Sequence, residues 1–315
     1  MEKILITGGT GFLGRELGLK LKEKYKVFLA GRNNTQNMWA ERYTSCAVLP
    51  LDVSNIESVR DVVNETKPDI IIHAAATKFV DISEKQPFEA VDINVTGSQN
   101  VARIAIDKGV KTVIGISTDK AAPPVRNTYA LTKALMERMF CTLNGKTSTK
   151  FACVRFGNIA WSSGSVLPIW KKMMDETGVI GTTGPEMRRY IIRVSEAADI
   201  VIACMNNIEQ LQGHVLTRDM KAAQIEDVLK VWVKHKGGKY EKIEGRPGER
   251  VDEYLVGDSE REYTTEVKFG SEVYYVTSMN TKSAKPVQKS LSSITSEKLS
   301  EKEILAILED MPRTI

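Results

Sequence analysis

The sequence predicts an α/β protein: a doubly wound parallel sheet carrying a smaller, mixed α/β lobe. Three observations predict it. Short apolar runs alternate with amphipathic stretches through the first half, a glycine-rich turn follows the first run directly, and the alternation fades after about residue 155. The runs are Ile4–Ile6, Val27–Ala30, Ala47–Leu49, Ile70–Ala76, Val113–Ile116 and Phe151–Val154. Runs this short and rich in Val and Ile read as parallel strands buried on both faces. The intervening segments, including Arg15–Lys24, Glu57–Thr66 and Gly97–Lys108, read as helices and complete right-handed βαβ units.

Residues 1–155 are therefore expected to form the first domain. Gly, Pro and Ser cluster in Gly157–Pro168 and Gly178–Pro185 and mark irregular loops. The amphipathic stretch Glu196–Asn206 reads as a helix returning to the first domain, which would also receive about 192–210. The rest of 156–315 reads as the lobe, with a polar, loose connection over Ser278–Ser300 and a last helix over Glu301–Met311. No internal repeat is visible.

Composition narrows the function. The chain has 315 residues, 42% of them hydrophobic, and a net charge of +4. That balance excludes a fibre or a wholly disordered chain and argues against a nucleic-acid partner. Four dispersed cysteines without a CxxC pair give no disulfide framework, and three scattered histidines give no metal site. The first residues enter a strand at once, without a secretory leader, and no run of about 18 apolar residues suggests a membrane span. A cytoplasmic protein is expected.

Thr7-Gly8-Gly9-Thr10-Gly11-Phe12-Leu13-Gly14 joins the first strand to a helix. Gly8 suits the tight turn, Gly11 a close backbone approach to a diphosphate, and Gly14 close helix–sheet packing. The helix N-terminus adds free N–H groups, so this is a dinucleotide-binding (Rossmann) turn. The second strand ends in Gly31-Arg32-Asn33-Asn34, without the acid that usually binds a free ribose 2′-hydroxyl. Arg32 can pair with a 2′-phosphate, which favours NADP over NAD. Asp52-Val53, after the third strand, is either an adenine contact or a turn-forming pair. His73 reads as a satisfied buried histidine.

Tyr129 and Lys133 stand at i, i+4 on one helix face. A lysine near a phenol favours phenolate and makes the tyrosine a base. With nine tyrosines and 44 basic residues, about one such pair arises by chance, so position matters more than spacing. Ser117-Thr118-Asp119-Lys120 lies at the end of the fifth strand, where this sheet class forms its ligand crevice.

These features together resemble the short-chain dehydrogenase/reductase superfamily, in its extended, sugar-nucleotide-modifying branch. His73-Ala74-Ala75-Ala76-Thr77-Lys78-Phe79-Val80, Asn94-Val95-Thr96-Gly97, Ser117–Ala122, Arg155-Phe156-Gly157-Asn158, Gly164-Ser165-Val166, Pro185-Glu186-Met187 and Arg246-Pro247-Gly248-Glu249 follow in order. The series is similar to soluble, inverting UDP-N-acetylglucosamine 4,6-dehydratases, nearly to the end of the chain. Thr-Asp-Lys is its most discriminating part, because related hexose dehydratases usually carry Thr-Asp-Glu there.

The resemblance implies that Tyr129 takes the 4-hydroxyl proton, with Thr118 bonding the same oxygen and Lys133 holding the nicotinamide ribose. It implies that a neutral Lys120 takes the C5 proton and a protonated Asp119 donates to the departing 6-hydroxyl. Thr7, Thr10, Phe12, Leu13, Ala74, Ala75, Ala76 and Asn94 join the cofactor site. Lys78 serves the cofactor or the substrate. Asn158, Ser165, Val166, Arg246 and Glu249 would hold a UDP-sugar, and a homo-oligomer is expected.

Two departures from the family pattern stand out. Trp161-Ser162-Ser163 replaces a Gly-Ser-Arg run, and Arg188-Arg189 replaces a Thr-Arg pair. The alternatives are a UDP-sugar 4-epimerase or 4-reductase, which would not require Asp119 and Lys120, and a non-catalytic NADP-sensing protein, which tends to lose the Tyr/Lys pair.

Overall fold

The computed structural model describes residues 1–245 and 248–312. The chain begins β1 (Lys3–Thr7), α1 (Phe12–Leu21), β2 (Lys26–Gly31), α2 (Asn34–Thr44), β3 (Ala47–Pro50), α3 (Ile56–Thr66) and β4 (Ile70–His73). Short helices α4 (Val80–Lys85) and α5 (Pro87–Val91) lead through a π-turn into α6 (Gly97–Asp107). Next come β5 (Thr112–Ile116), α7 (Thr128–Thr142), β6 (Lys150–Val154), β7 (Asn158–Ile159), α8 (Val166–Thr177), β8 (Val179–Thr182), β9 (Arg188–Ile192) and α9 (Val194–Asn206). The remainder is α10 (Ile208–Leu211), β10 (His214–Thr217), β11 (Ala222–Gln224), α11 (Ile225–Lys236), β12 (Lys239–Lys242), β13 (Tyr254–Val256), β14 (Thr264–Phe269), β15 (Glu272–Ser278), β16 (Leu291–Ser292) and α12 (Glu301–Glu309).

The central sheet runs β14-β15-β10-β6-β5-β4-β1-β2-β3. The seven strands from β10 to β3 are parallel, and β15 and β14 extend the sheet antiparallel. Order reverses between β1 and β4, and that switch point opens the crevice beyond the strand ends. The predicted strands are the parallel core because every residue of β4 and β5 is buried. One face packs Ile4, Ile6 and Ile72 on Leu17 of α1 and on Ala198 and Val201 of α9. The other packs Leu5, Ile71 and Val113 on Val63, Val101 and Met136.

Two differences from the sequence reading have physical reasons. The lobe reading of 156–315 put β10, β14 and β15 outside the first domain, yet they lie in its sheet. β14 and β15 form a half-exposed hairpin turning at Gly270, φ +61°, so their residues alternate and lack the continuous apolar run of a buried strand. The 278–300 connection is not all loose: Leu291–Ser292 pairs with β13, and Ser292 and Ser293 are buried. α2 has a weak apolar stripe and is started by Asn33, whose side chain accepts from Gln36 N–H at 2.9 Å.

Candidate functional site

A cleft of about 1060 Å³ runs from the first strand ends to the lobe. Its nucleotide end is the glycine turn. Gly8 has φ +67°, and a Cβ there would lie 2.6 Å from Ala75 N; one on Gly14 would lie 2.4 Å from Gly9 Cα. Gly11 is the N-cap of α1 and offers no side-chain acceptor, so the first-turn N–H groups meet the cleft without one. Thr10, Phe12, Leu13, Arg32, Asp52, Val53, Ala74, Ala75, Ala76 and Lys78 also line it. The Asp52 carboxylate accepts from Ser54 N and Oγ at 3.0 and 2.7 Å, which is the turn-forming reading of that residue.

Two residues expected on the cofactor do not line the cleft. Thr7 Oγ1 instead meets His73 Nδ1 at 2.7 Å, and His73 Nε2 meets Ser98 Oγ at 3.0 Å. Burial pushes His73 down to about 3, so this is a neutral, satisfied histidine. Asn94 is buried too; its amide bonds Thr77 N and O and Thr132 Oγ1, tying the loop after β4 to α7. Both residues shape the wall from behind.

At the chemical end, Asn127 caps α7 by accepting from Ala130 N–H at 2.8 Å, which points Tyr129 and Lys133 into the cleft. Burial pushes the Tyr129 phenol up to about 12, against downward pulls from Lys120 and from a Thr118 hydrogen bond. Lys120 is therefore a cation that favours the phenolate. Lys133 is itself pushed down to about 8 by burial, and its ammonium has only Met136 Sδ at 3.1 Å.

Asp119 is fully buried, behind the wall formed by Thr118 and Lys120. Its Oδ1 accepts from Thr118 Oγ1 at 2.9 Å and from Lys120 Nζ at 3.0 Å, while Oδ2 has no partner. Burial raises the Asp119 pKa. Lys120 Nζ also bonds Asn158 Oδ1 at 3.1 Å and lies 3.5 Å from Glu253 Oε1. Burial opposes its charge, but Asp119 and Glu253 outweigh that and raise its pKa. This favours the ammonium in the free protein, so the neutral amine that the resemblance implies requires a proton to leave Lys120.

Glu253 and Arg250 were missed. Both are buried and paired with each other, and Arg189 lines the cleft nearby. Lys120, Arg189 and Arg250 overcome burial and lower the Glu253 pKa. Arg188, by contrast, forms a two-point ion pair with Asp252 at 2.5 and 2.9 Å. On the substrate side Asn158, Ser165, Val166 and Glu249 line the cleft, and Glu249 accepts from Thr183 Oγ1 at 3.2 Å. Ser165 Oγ is buried without a partner. Arg246 lies outside the described residues. Trp161, one of the departures, is buried and donates from Nε1 to Ile307 O at 2.8 Å, tying the lobe to α12.

The residues fit a dinucleotide at this end. The turn is closed to any Cβ at Gly8 and Gly14, and Lys133 and Ser117 are lining residues whose Nζ and Oγ have no oxygen partner among the described residues. Residues 4–275 match the family described as polysaccharide biosynthesis protein. The chain belongs to that family. Several curated relatives are similar along much of the chain. A protein of Methanocaldococcus jannaschii named as an uncharacterized membrane protein is 35% identical, covering 82% of this chain and 81% of its own. The inverting UDP-N-acetylglucosamine 4,6-dehydratase of Campylobacter jejuni is 30% identical, covering 89% and 84%. A UDP-glucose 4-epimerase of Rickettsia bellii is 31% identical, covering 82% and 79%. The capsular polysaccharide biosynthesis protein CapD of Staphylococcus aureus is 34% identical, and this chain spans only 46% of its length.

Among solved structures, Pen from Bacillus thuringiensis superposes with a TM-score of 0.88 at 28% identity, over 98% of this chain and 97% of that one. The fold is thus that of the extended short-chain dehydrogenases/reductases. Among the described residues no helix is long and apolar enough to cross a membrane.

Proposed function

We propose that this family member dehydrates a UDP-N-acetylhexosamine, UDP-N-acetylglucosamine, at C4–C6, with inversion at C5 and with tightly held NADP. One observation carries the reading: the Asp119–Lys120 pair stands beside Tyr129, with Lys120 on the cleft wall. A 4-epimerase has no use for that second acid–base unit.

NADP in this site supplies reversible hydride acceptance. The chain's own groups handle the protons. Tyr129 acts as a phenolate: its own proton leaves to solvent first, with Thr118 and the nearby Lys120 cation opposing the burial that otherwise keeps it a phenol, and Oη then takes the 4-hydroxyl proton. Lys133 Nζ, lacking an oxygen partner, is placed to bond ribose hydroxyls. Oxidation at C4 acidifies the C5–H. Moving one proton from Lys120 Nζ to Asp119 Oδ1, across their 3.0 Å hydrogen bond, converts the ion pair to an amine and a carboxylic acid. The amine can then accept the C5 proton, and Asp119, which lies behind the wall, passes its proton through the Thr118 hydroxyl, 2.9 Å from Oδ1, to the 6-hydroxyl as it leaves as water. Asn158 holds Lys120 during the exchange.

The test uses UDP-N-acetylglucosamine deuterated at C4, followed by NMR in D₂O. Label carried to C6 with solvent deuterium at C5 is expected. Label returned to C4 with formation of UDP-N-acetylgalactosamine makes the protein an epimerase and removes the second acid–base step.

A further inference from the structure

The cofactor end holds a cation that the glycine-turn pattern does not account for. Arg15 follows Gly14 in the first turn of α1, is half-buried and lines the cleft beside Arg32 and Gln36. No carboxylate pairs with it among the described residues, although 26 ion pairs occur there. Its position is nevertheless fixed. Nη1 donates to Thr10 O at 2.8 Å, and the guanidinium lies 4.2 Å from the Trp39 ring centroid. Trp39 is in turn stacked on Tyr43 at 4.8 Å.

This anchor sits at the second-strand end. Thr10 approaches Gly31 so closely that a Cβ on Gly31 would lie 2.2 Å from Thr10 Oγ1. The residue after Gly31 is Arg32, which is exposed and has no ion-pair partner among the described residues. Two cations thus reach one end of the cleft, one exposed and one held over an indole. A guanidinium whose face is covered and whose Nη1 is partly used still offers a planar set of edge donors, the geometry that suits a phosphate. Half-burying such a cation without a counter-charge is unfavourable unless an anion completes it. The turn N–H groups serve a diphosphate, so the anion for this corner must be a different one.

We propose that Arg15, seated on Trp39, is a specificity-determining residue that binds the adenosine 2′-phosphate together with Arg32. This deepens the NADP reading and rests on it. Gln36 and Asn33 complete the same corner of the cleft.

The full chain, freed of co-purified nucleotide, is titrated calorimetrically with NADP⁺, NAD⁺ and adenosine 2′,5′-bisphosphate. Arg15→Gln should weaken NADP⁺ and the bisphosphate by about 10–100-fold, the loss of a charged hydrogen bond, and leave NAD⁺ within about threefold. Arg15→Lys keeps the charge and loses the planar fork, so it should fall between. Retained NAD⁺ binding shows that the variants fold. A wild type that prefers NADP⁺, with Arg15→Gln losing both cofactors equally or losing neither, overturns the Arg15 inference alone. A wild type that binds NAD⁺ at least as tightly as NADP⁺ overturns the NADP reading, and the inference with it.

Discussion

The two ends of the cleft handle charge in opposite ways. At the cofactor end Arg15, Lys78 and Lys133 form no ion pair among the described residues. At the chemical end Asp119, Lys120, Glu253 and Arg250 form a closed, buried network. Cations left unmatched in a cleft are matched by an anionic ligand. Groups that exchange protons must instead be balanced before the ligand arrives, because an uncompensated buried charge costs several kcal/mol. Each end therefore makes its own kind of prediction.

The largest effect is expected at Tyr129. Tyr129→Phe deletes a proton acceptor and leaves the walls in place, so turnover should fall about 10²–10⁴-fold. Calorimetric affinities for NADP⁺ and the UDP-sugar should stay near wild type. Turnover close to wild type would mean that the phenol takes no proton and that the balanced end does something other than oxidise the sugar.

Next comes Glu253, which tests whether balance itself matters. Glu253→Ala leaves Arg250 buried without its carboxylate, and removing one partner of such a pair costs about 3–5 kcal/mol. Glu253→Gln keeps the shape and should cost less. Glu253 helps hold Lys120 as an ammonium, so its neutral replacement lowers the Lys120 pKa. If the amine is the C5 base, the rising limb of kcat against pH moves to lower pH in Glu253→Gln. A thermal unfolding loss with an unmoved pH limb would reduce Glu253 to a structural support.

The same contrast explains what was legible in the sequence. The cofactor end is built from short local segments: Gly8, Gly11 and Gly14 stand together because one turn requires them, and a turn can be read from its own residues. Lys120 and Asp119 are adjacent and could be found, but their protonation could not. It is set by Glu253, which reaches Lys120 from the distant segment before β13, and nothing in the residues around Glu253 announces the pairing. Tyr129 and Lys133 are local and visible by their spacing, whereas the pull of Lys120 on the phenol comes from the fifth strand end and has no local signal. The parallel strands were legible from continuous burial, and the β14–β15 hairpin was not, because one of its faces is exposed. Arg15 was adjacent to the recognised turn and passed over because its partner, Trp39, is carried on α2.

A smaller effect separates the two ends by pH. Lys133, which is buried, is pushed down to about 8 by that burial. In the free protein it is half-neutral near that pH, and an anionic ligand favours the charged form. Cofactor binding near pH 8 should therefore take up protons, and affinity should fall as pH rises above 8 by up to about tenfold per unit. Stability of the free protein runs the other way. This folded pKa lies below the unfolded value of 10.5, so the unfolded chain binds more protons between about 8 and 10.5, and this contribution rises with pH across that window. Calorimetry in buffers of different ionisation enthalpy measures the proton uptake. An uptake of zero at pH 8 would show that Lys133 does not meet the cofactor.

The smallest effect is expected where a charge belongs to neither end. Arg188 and Arg189 are adjacent, and the sequence could not distinguish them. Alternation along β9 sends them to opposite faces. Arg189 lines the cleft and donates to the backbone carbonyls of Arg188, Arg250 and Val251. Arg188 leaves the cleft and pairs with Asp252, with its side chain 32% exposed. A pair this open is worth about 1 kcal/mol or less. Arg188→Gln should therefore shift the unfolding midpoint slightly and leave turnover and cofactor affinity unchanged. Arg189→Gln removes a cation that acts on both Lys120 and Glu253, so it should change turnover and its pH profile. If Arg188→Gln were instead the variant that lost turnover, the charge that matters to the chemical end would lie outside the network described here, on the Asp252 side of the strand.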